Sequence, residues 1–217
     1  MITLNKSDKC LLQTLARLKF ATRAHLAFWC DVHVSTILRR LRVLQKAGMI
    51  VANENREPMI WSIKNLAAKL MLISPPSGGR RASWSAMSHA CHANEVEIML
   101  NTAKDSKGFC FINKIKLLER GLHPGFGEHG GRDDANKDYL ILVDDYMMKP
   151  ERIGHTWTRI HHPPRKFFDG NRQLSWSKIV NHFIVATTDE FRAEQHAAWI
   201  ERHEIPARVI TIKPLWR

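Results

Sequence analysis

Cysteine and tyrosine are both scarce in this 217-residue chain, and no two cysteines stand close enough to form a CxxC knuckle. The four cysteines, Cys10, Cys30, Cys91 and Cys110, are too dispersed for a disulfide framework and fit a reducing, cytoplasmic setting. No apolar run approaches the roughly 20 residues that would cross a bilayer. No charged start leads into a long apolar segment of the exported kind, so no membrane partner is expected. Internal repeats and low-complexity tracts are absent as well. Acidic residues are the remaining shortage, 21 against 33 lysines and arginines, which gives a formal charge of +12. Unless that excess is evenly spread, some face attracts polyanions.

What is present suffices for ordinary folding. Apolar residues make up 44% of the chain, and its length suits one large or two small domains. The most informative stretch runs from Val34 to Gly48. Ile37, Leu38, Leu41 and Leu44 form one apolar stripe at helical spacing and leave Thr36, Arg39, Arg40, Gln45 and Lys46 largely outside it. Ser35 suits the N-cap and Gly48 the left-handed stop. Upstream, Ser7 or Asp8 can cap a helix that buries Leu11, Leu12, Leu15 and Leu18, and Thr22 can cap a short second one. Asp31 to Val34 then makes a tight turn. Two β-prone runs, 49–52 and 59–63, follow the cationic helix and flank a stretch rich in turn formers.

Helix, short helix, turn, cationic helix and hairpin is the order of a winged helix-turn-helix, and the spacing of Leu41, Leu44, Gly48 and Ile50 resembles that DNA-binding domain. Residues 1–50 carry nine lysines and arginines against Asp8 and Asp31, +7 of the +12 total. The expected partner is double-stranded DNA. Ser35, Thr36, Arg39 and Arg40 are expected in the major groove, with Arg23, Lys46 and the wing residue Arg56 on phosphates.

The Pro-, Gly- and Ser-rich segment 74–88 reads as a linker between a 1–73 DNA-binding domain and an 89–217 α/β domain, an α+β chain as a whole. The second half is expected to contain a helix over 90–103 and strands over 109–118, 139–143, 152–160 and 179–187. A helix over 190–203 and a last strand over 207–212 follow. The glycine-rich 121–135 reads as loop. Helix, four strands, helix, strand implies a mixed sheet covered by helices. It resembles the restriction-endonuclease-like core, in which acids on the first helix and at the start of the second strand hold Mg²⁺. Carried over, Glu97 (or Glu95) and Asp138 take those places as metal-binding and catalytic residues. Where that fold has a carboxylate and a lysine on the third strand, His155 to Arg159 offers only Arg159.

A winged helix followed by such a half is similar to the replication-relaxation family of plasmid and mobile-element proteins. That resemblance implies action at a transfer or replication origin, nicking that uses Mg or Mn, and contacts with plasmid transfer or replication proteins. The alternative is a transcription regulator whose second domain dimerises, giving a homodimer, or senses a ligand. An adaptor that binds acidic proteins is a third class. His89, Cys91 and His92 lack the spacing of a recognised zinc set. Tyr139 and Tyr146 lack the His-hydrophobe-His element of a two-histidine relaxase, and Gly125 to Gly131 does not stand between a strand and a helix in phosphate-loop form.

Overall fold

The computed structural model describes residues 4–53, 58–70, 82–103, 108–112, 128–145, 154–155 and 182–213. They fall into two compact units, one within Met1–Ile98 and one within Met99–Lys213. The chain is α+β, with a mainly helical first unit.

In the first unit α1 (Lys6–Leu18), α2 (Arg23–Cys30) and α3 (Val34–Lys46) are each started by a side-chain cap. Asn5, rather than Ser7 or Asp8, caps α1. Its Oδ1 accepts the Asp8 N–H at 2.8 Å while the Asp8 carboxylate accepts the Asn5 N–H at 3.1 Å. Thr22 and His25 make the same reciprocal pairing at α2. His33, not Ser35, caps α3. The stop at Gly48 is a Schellman turn: φ is +72°, Met49 N–H reaches Leu44 O at 3.0 Å, and Gly48 N–H reaches Gln45 O at 2.9 Å.

The apolar stripes then meet. Leu11, Leu12, Leu15, Leu26, Leu41 and Leu44 are fully or almost fully buried in one core, each burial contributing about 1.5–3 kcal/mol. The hairpin pairs β1 (Ile50–Asn53) with β2 (Ile60–Ile63) in antiparallel register, Ile50 opposite Ile63. Ala21 adds a one-residue bridge to Trp61, which ties the hairpin to the start of α2. This is a winged helix-turn-helix arrangement.

After the short α4 (Asn65–Leu70) comes α5 (Trp84–Thr102), so residues 84–88 of the expected linker are helix; residues 71–81 lie outside the described ones. The boundary between the units falls inside α5, after Ile98 rather than at 88. Polar contacts tie this part of α5 to the first unit. Asn94 Nδ2 donates to Phe20 O at 2.7 Å, Glu95 meets His25 Nε2 at 2.7 Å, and Glu97 meets Arg17 Nη1 at 2.7 Å.

The second unit is a five-stranded sheet in the order β3 (Cys110–Phe111), β4 (Glu128–Arg132), β5 (Asp138–Asp144), β6 (His182–Thr187), β7 (Ala207–Thr211). β3 with β4 and β4 with β5 pair antiparallel, whereas β5 with β6 and β6 with β7 pair parallel. α6 (Glu190–Arg202) links β6 to β7. β4 occupies part of the expected 121–135 loop. Its Gly131 is a packing glycine, since a Cβ there would lie 2.2 Å from the Phe109 ring. Asp138 therefore opens the third strand of this sheet, not the second. Gly154 and His155 are helical rather than part of a strand, and the rest of 156–181 lies outside the described residues.

Candidate nucleic-acid interface

α3 buries Ile37, Leu41 and Leu44 and turns Ser35, Arg39, Arg42 and Lys46 to solvent. These four stand at i, i+4, i+7 and i+11, close to one line along the helix. With the half-buried Leu38 and Val43 they line a shallow groove on its outer face. No acidic residue occurs in α3, and Arg39, Arg42 and Lys46 carry no ion pair among the described residues. The stripe thus presents three cations and a hydroxyl. At its start the His33 ring accepts the Ser35 N–H at 3.3 Å and lies 2.8 Å from the Ser35 hydroxyl. Accepting both at Nδ1 leaves the ring proton on Nε2.

Arg42 is the residue the sequence reading missed. The spacing of Ser35, Arg39, Arg42 and Lys46 carries the signal, but the adjacent pair Arg39 and Arg40 drew the reading instead. Arg40 faces α1. Its Nε donates to Asp8 Oδ1 at 2.7 Å and its Nη2 to Asp8 Oδ2, and the Asp8 carboxylate is fully buried. The guanidinium fork fits that carboxylate in bidentate fashion, so Arg40 braces α3 and is not offered to a groove. Thr36 is half-buried, and Arg23 is exposed at the start of α2. The wing tip with Arg56 lies outside the described residues.

The expected metal ligands are placed differently. Glu97 is buried within the first unit against Arg17, whose guanidinium also stacks 4.3 Å over the Trp29 ring. Glu95 is buried against His25. In the second unit Asp138 accepts both Nε and Nη2 of Arg132 from the paired strand, at 2.8 and 3.0 Å. The hydrogen bonds and the charge of Asp138 raise the pKa of Arg132 against a smaller opposing effect of burial. Asp144, at the carboxyl end of β5, is buried between Arg192 Nη2 at 2.7 Å and His196 Nε2 at 2.8 Å. Among the described residues no three His, Cys, Asp or Glu side chains converge on a metal position. Carboxylates already held by guanidinium groups do not fit Mg²⁺ or Mn²⁺, which need open oxygen ligands. Arg159 lies outside the described residues.

Neither a family model nor a curated protein matches the chain. Two solved structures of Lactococcus lactis ZitR align with it. One is the C30S mutant in complex with DNA, at 17% identity; the other, described as a zinc-responsive MarR family member, is at 18%. Each alignment covers 48% of this chain and 66% of that one, at a TM-score of 0.30. The match spans just under two thirds of ZitR, and the assignment of the winged helix rests on the elements and pairings above. No helix among the described residues is long and apolar enough to cross a membrane.

Proposed function

We propose that this chain is a DNA-binding regulator that lays α3 in the major groove of duplex DNA. One observation carries the reading: Ser35, Arg39, Arg42 and Lys46 form a single exposed stripe on the face of α3 opposite its buried leucines. At 1.5 Å per residue the stripe is about 16 Å long, enough to follow the groove over several base pairs. Arg39 and Arg42, with their planar forks, are the base readers; Ser35 and Thr36 at the helix start reach base edges or sugar-phosphate. Lys46 and Arg23 neutralise phosphates, and Arg56 on the wing is assigned the same task. One such helix reads a short site, so a homodimer on two half-sites about one turn of DNA apart is the form in which it acts. The second unit is the half left to dimerise or to sense a ligand.

Regulation is favoured over nicking at a plasmid transfer or replication origin because Glu97 and Asp138 are each occupied by an arginine in their own unit. The test is selection of bound duplexes from a random pool, followed by fluorescence anisotropy on the selected site. Enrichment of one motif, lost in Arg39→Ala and Arg42→Ala, supports the reading. Failure to enrich any duplex refutes it.

A further inference from the structure

Cys10 in α1 and Cys30 at the end of α2 bring their sulfurs to 3.9 Å, although the DNA-binding role gives neither a task. Both are free thiols; Cys10 is exposed and Cys30 half-buried, its S–H also 3.8 Å from Thr14 Oγ1. A disulfide holds its sulfurs at about 2.05 Å, so closure requires an approach of about 2 Å. Side-chain rotation and a small shift between two packed helices can supply that.

We propose that Cys10 and Cys30 are a hydroperoxide-oxidised dithiol, whose disulfide ties α1 to α2 and weakens the hold of α3 on DNA. The deprotonated sulfur of Cys10 attacks the terminal oxygen of the hydroperoxide. The O–O bond breaks, an alcohol (water, from hydrogen peroxide) leaves with a proton, and Cys10 becomes a sulfenic acid. The Cys30 sulfur then displaces that hydroxyl as water, its own proton leaving with it, and the S–S bond forms. Two thiols lose two electrons, and one hydroperoxide becomes one alcohol and one water.

Exposure assigns the roles. Oxidant reaches Cys10 directly, whereas burial, with a smaller opposing effect from Thr14 and a reinforcing one from Cys10, pushes the Cys30 thiol up to about 11. A thiol so protonated resolves rather than attacks first. The consequence for α3 follows from position. Asp8, which holds Arg40, stands one half-turn before Cys10; Asp31, left-handed at φ 51°, follows Cys30 and opens the turn into α3. A pull between the two sulfurs acts on both supports of the helix. This effect on DNA rests on the function proposed above, whereas the bond itself does not.

The experiment uses the full chain carrying Cys110→Ser, which removes the other exposed thiol. It is treated with equimolar hydrogen peroxide, and its disulfides are mapped by mass spectrometry of unreduced peptides. Anisotropy on the selected duplex is read before oxidation, after it, and after dithiothreitol. The expected result is a bond between Cys10 and Cys30 and an affinity loss of about fivefold or more that reduction reverses. Cys10→Ser, an exposed change that leaves the core untouched, abolishes both, as does Cys30→Ser. Intermolecular bonds only, or Cys10 oxidised onward to sulfinic acid, overturn the site. A mapped bond with unchanged affinity overturns the switch. Reduced protein that binds no duplex refutes the proposed function and the switch with it, while the mapped bond still stands or falls alone.

Discussion

Arginines of the second unit and those on the outer face of α3 are handled in opposite ways. In the second, Arg132 is held by Asp138 and Arg192 is buried against Asp144, with His196 on the other carboxylate oxygen. In the first, α3 sends Arg39 and Arg42 outward with no acid to meet them among the described residues. A cation desolvated and paired inside a fold, as Arg192 is, has little left to give a phosphate, since its release would strand a buried carboxylate. A cation held in water by a rigid helix gives up only loosely bound counterions. Arg40 shows both behaviours within one helix: a neighbour of Arg39 in sequence, it is spent on Asp8.

The largest effect expected from this contrast is on stability. Asp144→Ala leaves Arg192 and His196 buried without their carboxylate and should cost about 3–5 kcal/mol, read as a lower denaturant midpoint of the second unit. Arg40→Ala comes next, at about 3 kcal/mol. Asp8 loses its guanidinium but keeps the Asn5 N–H, which holds the cost at the lower end for a broken buried pair. Arg39→Ala and Arg42→Ala invert the pattern. Each should leave stability within about 0.5 kcal/mol and lower affinity for the selected duplex by about 1–3 kcal/mol. If Arg42→Ala destabilises the fold as much as Arg40→Ala does, the contrast fails.

Gly48→Ala is a finer probe. Nothing lies within 4 Å of the added Cβ, so only the left-handed φ of +72° opposes it, and about 1 kcal/mol of stability should be lost. A larger loss would mean that the α3 terminus is packed more tightly than its surroundings show. Cys30 gives a probe of another kind, through pH dependence. Its folded pKa of about 11 lies above the ordinary 9.0, so the native state holds this proton longer. The contribution is complete below pH 9 and fades as pH rises through about 11, a decline that Cys30→Ser should lessen in a stability-against-pH curve, while the buried Cys91, raised likewise, keeps its own share.

Most local signals told truly, although α1 and α3 are capped by Asn5 and His33 rather than by Ser7 or Asp8 and Ser35. The leucine spacing of α1 and α3, Thr22 as a cap and Gly48 as a stop depend on residues within a turn or two, and each reads directly from the chain. The larger failures depend on distant partners. Glu95 and Glu97 read as candidate metal ligands because nothing nearby in sequence shows what holds them; their partners His25 and Arg17 lie 70 and 80 residues away. Gly131 reads as loop because its reason for being glycine is the Phe109 ring packed on it. The strand β4 that this glycine belongs to places Asp138 at the start of the third strand rather than the second. Arg40 and Arg42 differ only in which way α3 turns them, and the Asp8 carboxylate that settles the matter sits on another helix.

The most direct test is the salt dependence of affinity for the selected duplex, compared among the unchanged chain, Arg40→Ala and Lys46→Ala. A steep fall of affinity with salt is predicted, by several phosphates' worth of counterion release, with the slope reduced by about one in Lys46→Ala and unchanged in Arg40→Ala. Affinity indifferent to salt, or a slope that Arg40→Ala flattens while Lys46→Ala leaves it alone, would contradict the claim that the exposed stripe of α3 is the DNA-binding face.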